Sequence, residues 1–109
     1  MLARPNRLKR EEIGGIIKAG RRLSSGFYRA TALKLPNTTT PRFAFVVSSK
    51  TAKRAVDRNL LKRRTRHIVR KNLKQLPGGW GVVVFIGPQV IKTPFVELEK
   101  DLINLLNKL

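Results

Sequence analysis

The stretch WGVVVFI, at Trp80–Ile86, constrains the fold of this chain more than any other segment. A strand with one face in water alternates apolar and polar side chains, whereas a strand covered on both faces is apolar throughout. None of these seven positions has a polar side chain. We therefore predict a strand in a central position of a β-sheet.

Two more strands are predicted from apolar and β-branched stretches at residues 27–35 and 42–49, and a further short strand is considered around 32–35. Period-two alternation in the strand at 42–49 gives two faces, which are Phe43, Phe45 and Val47, and Ala44, Val46 and Ser48. Turns containing proline or glycine are predicted at residues 36–41 and 77–79.

Three helices complete the predicted order. The first covers residues 7–20 and ends at Gly20, although Gly14 and Gly15 each cost about 1 kcal/mol inside a helix. The second covers residues 55–73, and the third begins with Thr93 as N-cap and Pro94 as its first residue. Its core-facing stripe is Phe95, Leu98, Leu102, Leu105 and Leu109. This order predicts one α+β domain over residues 1–109, an α-β-β-α-β-α sandwich with a central sheet.

The charge of the chain is strongly one-sided. Its 109 residues include 24 Lys and Arg against 6 Asp and Glu, a formal net charge of +18 and a pI of about 11.8. Such a chain repels itself in the compact state, and polyanions are its natural partners. For a small domain with this pI, nucleic acid is the commonest of them.

Cysteine and long apolar segments are both missing from the sequence. Without cysteine there is no disulfide framework and no thiolate metal site. The amino-terminal residues are charged, and the longest uncharged stretch, 75–91, is broken by glycine and proline and is too short to span a bilayer. We therefore expect a cytoplasmic protein with no membrane partner.

Residues 53–71, KRAVDRNLLKRRTRHIVRK, contain nine Lys or Arg and one acid, Asp57. On a helical wheel, Arg58, Lys62 and Arg66 follow one another at four-residue steps, beside Asn59, Arg63 and Arg70. Leu61, Thr65, Ile68 and Val69 form the adjoining apolar stripe. A solvated helix usually mixes both signs of charge, so we interpret the basic face as a phosphate-binding surface.

Catalytic groups are sparse. The single histidine, His67, has no partner in the sequence pattern, and Glu97, Glu99 and Asp101 point apart on a helix because they are spaced by two. Hydrolysis of a phosphodiester needs a general acid and base or clustered carboxylates that hold metals. The residues therefore argue against a self-sufficient nuclease, and no catalytic or metal-binding residue is predicted.

The sequence AVDRNLLKRRTR at residues 55–66 resembles the RNR signature of bacterial ribonuclease P protein subunits, a pattern close to AVxRNxxKRxxRE. The matching positions are Ala55, Val56, Arg58, Asn59, Lys62, Arg63 and Arg66. NRLKR at 6–10, the Gly20-Arg21-Arg22 step and RFAFVVSSK at 42–50 extend the resemblance over nearly the whole chain. The chain departs from the family at Ser49, usually Lys, and at Ile13 and Ile17, where the family often has aromatic residues.

This resemblance implies a function and a topology. It implies an RNA-binding subunit of ribonuclease P, which assists a catalytic RNA in removing the 5′ leader from precursor tRNA. The RNA subunit then holds the active site and its Mg²⁺, and the protein alone binds no cofactor and no small-molecule ligand. It also implies a left-handed crossover in which the basic helix joins two parallel strands.

Three groups of RNA-binding residues follow from these considerations. On the basic helix they are Lys53, Arg54, Arg58, Asn59, Lys62, Arg63, Arg66 and Arg70. Around a leader cleft beside the first helix they are Ile13, Ile17, Phe27, Tyr28, Ala44, Val46 and Ser48, with only one of the two neighbouring aromatics facing the cleft. Further contacts are expected from Arg7, Lys9, Arg10, Arg21, Arg22 and Lys50. The other aromatics, Phe43, Phe45, Trp80 and Phe85, are assigned to the core.

Two other functions remain open at this point. One is a structural RNA-binding protein of ribosomal type without associated catalysis. The other is a DNA-binding module that uses the basic helix in a major groove, although no preceding helix forms a helix-turn-helix and the crowded arginines favour phosphates over base edges.

Overall fold

The computed structural model describes residues 6–36, 40–76 and 78–109. Its elements in chain order are α1 (Arg10–Ala19), β1 (Arg21–Ser24), β2 (Tyr28–Lys34), β3 (Arg42–Val46), α2 (Ala55–Lys71), β4 (Trp80–Ile86) and α3 (Phe95–Leu106). Short 3-10 turns follow α2 at Leu73–Gln75 and β4 at Pro88–Lys92. The turns predicted at 36–41 and 77–79 lie partly outside the described residues.

The α+β order is confirmed, with one strand added. β1 is not among the predicted elements, and the short strand considered at 32–35 is the end of β2. β1 has only four residues, three of them exposed, so its sequence RRLS has almost no apolar signal. It forms a hairpin with β2, in which Arg22 pairs with Thr31.

The sheet has the strand order β1-β2-β4-β3. β4 lies between an antiparallel neighbour, β2, and a parallel neighbour, β3, which confirms its predicted central position. The helix α2 connects the two parallel strands, so β3, α2 and β4 form a βαβ unit. The left hand of this crossover stays a prediction.

The main core lies between the sheet and the helices α2 and α3. Alternation directs Tyr28, Ala30 and Ala32 of β2 into it, together with Val82, Val84 and Ile86 of β4. The predicted stripe of α2 is confirmed, since Leu61, Thr65, Ile68 and Val69 are all buried. That of α3 is confirmed at Leu98, Leu102 and Leu105, while Phe95 is half-buried against the core and Leu109 packs there from beyond the end of the helix. Phe43 and Phe45 stack on this side of β3, with ring centroids 6.3 Å apart.

The helix α1 packs on the other face of the sheet. Its only buried residue, Ile16, lies against Gly81 of β4, where a Cβ atom would stand 2.7 Å from the Ile16 Cδ1. Gly81 therefore allows the helix to approach the strand closely. α1 begins at Arg10, three residues later than predicted, because the preceding segment extends along β3 and Leu8 N–H donates to the Phe43 carbonyl at 3.0 Å.

The start of α3 also differs from the prediction. Pro94 occupies the N-cap position, and the hydroxyl of Thr93 donates to the Gln89 carbonyl at 2.6 Å. The N-cap role predicted for Thr93 is therefore wrong by one residue, because its side chain is engaged by the preceding 3-10 turn. No helix within the described ranges is both long and apolar enough to cross a membrane.

Gly14 in α1 and Gly20 at its C-cap should respond oppositely to alanine. Gly14 has nothing within 4 Å of the position a Cβ would take, so Gly14→Ala should stabilise the protein by about 0.5–1 kcal/mol through helix propensity. At Gly20 the same atom would lie 2.5 Å from the Ile16 carbonyl oxygen and 2.9 Å from that of Ala32, so Gly20→Ala should destabilise by about 1–3 kcal/mol. Urea unfolding measures both, and changes of the same sign would contradict this packing.

The single tyrosine offers a pH test of the core. Burial raises the pKa of Tyr28 above its ordinary 10.0, and a contact of 3.5 Å with the Thr65 hydroxyl opposes this only in part. Because the folded state favours the neutral phenol, this stabilisation is complete below pH 10 and is lost as the pH rises further. Phenolate absorbance should therefore appear only above pH 10, together with unfolding; ionisation of the folded protein at or below pH 10 would show that the ring is not buried.

Candidate nucleic-acid interface

The outer face of α2 is a row of cations that the chain itself does not neutralise. Burial of the apolar stripe turns Arg63 and Arg70 fully outward, with Lys62 and Arg66 half-buried beside them. Among the described residues, ion pairs join Arg42 to Glu12 (3.6 Å), Arg54 to Asp57 (3.1 Å) and Lys71 to Glu99 (3.3 Å). None of these pairs includes a cation of the outer face. This face can therefore bind an external polyanion without first losing a carboxylate.

Arg58 has a structural role that its place in the motif does not reveal. Its Nη1 donates to the carbonyl of Ala52 at 2.9 Å and to that of Lys53 at 2.8 Å. These bonds tie the loop before α2 to the first turn of the helix. Of the remaining predicted contacts, Lys53 and Arg54 precede α2 and Asn59 lies within it, and all three are exposed.

The carboxyl end of α2 is fixed against α3 by Asn72 and Lys71. The amide nitrogen of Asn72 donates to the Ile68 carbonyl at 2.8 Å and to Glu99 at 3.0 Å. This hydrogen bond, followed by those from Lys71, holds the pKa of Glu99 below its usual value. The direction of the basic row is thus set by packing along the helix and by polar contacts at its end.

A second basic surface lies on the sheet face that α1 covers only in part. The strand register aligns two rows across this face, which are Ser24, Arg29, Phe85 and Val46, and Arg22, Thr31, Val83 and Ala44. We call this side of the sheet the open face, although Thr31 and Val83 in the second row are buried. Next to α1 it forms a pocket of about 330 Å³, with Ile17 on one side and Arg22 and Arg29 on the other.

The predicted leader cleft corresponds to this surface only in part. Ile17 is 38% exposed and borders the pocket, and Ala44 and Val46 lie on the open face with half-buried side chains. Ile13 is half-buried, one turn before Ile17 on α1. The structure thus brings the two predicted α1 positions and the outer side of β3 to the same face of the sheet.

Tyr28 and Ser48 are corrections to that prediction. Tyr28 is 1% exposed and belongs to the main core, because β2 directs its even-numbered residues toward α2 and α3. Ser48 lies beyond the end of β3, and its hydroxyl accepts a hydrogen bond from the Thr51 amide at 3.2 Å. Of the two neighbouring aromatics this leaves Phe27, which is half-buried, packs partly against the main core and lines a second pocket of about 290 Å³ at the edge of the open face.

The turn that positions Phe27 is held by Asp101 of α3. The Asp101 carboxylate accepts hydrogen bonds from the Ser25 hydroxyl at 2.5 Å, the Gly26 amide at 3.3 Å and the Phe27 amide at 3.2 Å. A residue of the helix layer on one side of the sheet therefore orders the β1–β2 turn that borders the open face.

Phe85 and Arg29 are the residues that sequence reasoning missed. The prediction that places Phe85 in the core is wrong, since its ring is half-buried on the open face and lines both pockets. Arg29 is absent from the predicted RNA contacts, although its charge marks the solvent-exposed face of β2 and indicates which residues of that strand point outward. In contrast, the predictions for Phe43, Phe45 and Trp80 are confirmed.

The other predicted contacts all lie on the surface. Arg7, Lys9, Arg10, Arg21, Arg22 and Lys50 are exposed, and Arg22 is the one that borders the first pocket. No group of three or more His, Asp or Glu side chains within the described ranges could hold a metal ion. His67 contacts the ring of Phe95, with centroids 5.4 Å apart. The arrangement is that of a polyanion-binding surface.

Comparison with known proteins adds three findings. A family profile described as ribonuclease P matches residues 2–109. The ribonuclease P protein component of a Pseudanabaena species is 40% identical over 99% of this chain and 94% of its own length, and that of Streptomyces griseus is 38% identical over 100% and 95%. The structure of the ribonuclease P protein from Thermotoga maritima superposes with a TM-score of 0.87 and 29% identity, covering 94% of this chain and 96% of the other.

Two arginines of α2 should separate folding from binding. Arg58→Ala removes two charge-assisted hydrogen bonds to backbone carbonyls, so it should lower the free energy of unfolding by about 1–3 kcal/mol. Arg66→Ala should change it by less than about 0.5 kcal/mol while weakening binding to RNA. Arg58→Lys, which keeps the charge but not the planar fork, should resemble the alanine variant in thermal unfolding. Equal stability of Arg58→Ala and the unmodified protein would remove this structural role.

Proposed function

This chain belongs to the ribonuclease P protein family, and we propose that it uses two separate surfaces for two RNAs. The outer face of α2 binds the RNA subunit of ribonuclease P. The open face of the sheet holds the single-stranded 5′ leader of precursor tRNA. The protein thereby assists an RNA-catalysed endonucleolytic cleavage that matures the 5′ end of tRNA.

The observation that supports this proposal most is the unneutralised row on α2. Lys62, Arg63, Arg66 and Arg70 lie on a helix whose adjoining stripe is buried in the core, so the row is rigidly presented. Arginine predominates in it, and the planar guanidinium matches phosphate oxygens in a bidentate manner. A folded RNA offers phosphates on a broad, stiff surface, which suits a straight row of cations.

The open face suits a different ligand. Its pockets lie between strands and loops, with Arg22 and Arg29 beside apolar side chains such as Ile17. Nonspecific binding of single strands typically combines cations that follow the backbone with apolar or aromatic surfaces under the bases. An unpaired leader can enter such a groove, whereas a double helix would present only its phosphates.

The chain's own residues do not fit a Mg²⁺ site. Mg²⁺ is usually bound through one or two carboxylates together with phosphates and waters, and the described acidic residues form no cluster that could hold a metal ion. In this proposal Mg²⁺ is therefore bound by the RNA subunit. The contribution of the protein is to bind, to orient the leader and to reduce repulsion between phosphates, and its place of action is the cytoplasm.

Reconstitution with a bacterial ribonuclease P RNA tests the two surfaces together. The holoenzyme should restore leader cleavage at low Mg²⁺ and bind precursor tRNA more tightly than mature tRNA. Arg63→Ala should weaken assembly with the RNA subunit equally for all substrates and should reduce the salt slope of binding by about one. Ser24→Glu adds a carboxylate to the open face, so it should spare assembly and weaken precursor binding by about 1 kcal/mol, roughly fivefold.

Asn104→Glu is the matched control, because it adds the same charge at an exposed position of α3 on the far side of the sheet. It should leave both affinities unchanged. Equal binding of precursor and mature tRNA by the unmodified holoenzyme would refute the leader assignment and favour a structural RNA-binding role. Loss of assembly in Ser24→Glu would show that the two surfaces are not separate.

A further inference from the structure

Phe85 occupies an unusual position for a large apolar ring. It points away from the main core, and it lies beyond the part of the sheet that α1 covers, where Ile16 packs over Gly81. Its neighbours across the sheet are Arg29 on β2 and Val46 on β3. Of the described residues that line its two pockets, only Ile17 belongs to one of the three α-helices, and it lies at the far edge.

Two pockets meet at Phe85 and Arg29, which are the only ones of the described residues that line both. The first, of about 330 Å³, extends toward Ile17 and Arg22. The second, of about 290 Å³, extends toward Phe27 and the segment that follows β4 at Gly87. Small-molecule pockets in proteins begin at about 300 Å³, so each can take a group of about the size of one nucleotide unit.

The pair itself combines the two chemistries that a nucleotide needs. Arg29 and Phe85 stand directly opposite each other in an antiparallel pair, where Cβ atoms are about 4.5–5.5 Å apart. Arg29 is exposed, forms no ion pair within the described part of the chain, and no acidic residue lines either pocket. The guanidinium is therefore free for a phosphate while the ring beside it offers an apolar surface for a base.

We propose that Phe85 and Arg29 form a single-nucleotide subsite for the leader, in which one base stacks on the Phe85 ring and the adjoining phosphate contacts Arg29. The two pockets then receive the nucleotides on either side. This inference rests on the proposed function, and it adds which residues hold one leader nucleotide and by which contacts. Because every base has an aromatic face, the subsite selects an unpaired nucleotide with little regard to its identity.

The test compares the holoenzyme with its Phe85→Leu variant on precursor tRNAs whose leaders lack one base at a time. In the unmodified holoenzyme, an abasic position at the subsite should weaken binding about 5- to 100-fold. Phe85→Leu should weaken binding of the intact leader by a similar factor and should lose sensitivity at that one position. Phe85→Tyr, which keeps an aromatic face, should restore both. Phe95→Leu, the same replacement on the opposite side of the sheet, should change neither.

Arg29 provides a second test on an exposed side chain, which holds even if the Phe85→Leu protein does not fold. A leader with one neutral methylphosphonate beside the sensitive base should bind less tightly to the unmodified holoenzyme. Arg29→Gln should remove that difference and lower the salt slope of leader binding by about one. The holoenzyme could prefer precursor tRNA while neither Phe85→Leu nor Arg29→Gln removes the sensitivity of binding at any leader position. That result would overturn this subsite and leave the proposed function intact. Absence of precursor selectivity would overturn both.

Discussion

The burial of β4 on both faces is the constraint on which the other features depend. One face is covered by α2 and α3, which together bury the even-numbered residues from Val82 to Ile86. The other face is covered only in part by α1, whose single buried residue, Ile16, packs against Gly81. Ile16 covers the end at Gly81, and the end at Phe85 remains open. The groove of this protein is therefore the part of the outer face of β4 that α1 does not cover.

The basic helix depends on the same layer. A net charge of +18 on 109 residues opposes compaction, so its cations need a firm support that keeps them apart and outside. Four buried residues of α2 give that support along the helix, and Asn72 and Glu99 give it at the carboxyl end. Arg58 shows that not every cation of the row is free, because its guanidinium bonds the loop that leads into the helix. The surface offered to RNA is thus smaller than the motif suggests, and more rigid.

The parts of the fold that periodicity encodes were predictable from the sequence. The unbroken apolar run of β4 and the stripes of α2 and α3 require burial, and the structure buries them. β1 was not predictable in this way, because four residues with one half-buried leucine have no periodic signal. Its existence depends on the hairpin that Asp101 closes from a distance of more than 70 residues in sequence.

The candidate site was predicted less completely, because the sequence does not show which residues of a strand face the core and which face solvent. Phe27 and Tyr28 are adjacent aromatics, so apolarity alone does not decide which one faces the core; the exposed charge of Arg29 does. In β4 no polar residue marks either face, and the outward direction of Phe85 follows only from its register with β2 and β3. Motif matching located the cations of α2 correctly but could not show that Arg58 is engaged with backbone carbonyls. The positions of these carbonyl acceptors depend on the folded loop and do not follow from residue identity.

The position of β4 in the sheet also dictates when this molecule can fold during its synthesis. Of the strand pairings in the described sheet, only that of β1 with β2 joins segments that are both made before β4. The other two pairings join β4, which begins at Trp80, to strands that end at Lys34 and Val46, so both wait for its emergence from the ribosome. During that interval the nascent chain already contains the basic helix but lacks the strand against which the core assembles. The described sheet therefore closes only after two long loops have been ordered, which makes its formation slow compared with that of a sheet built from hairpins alone.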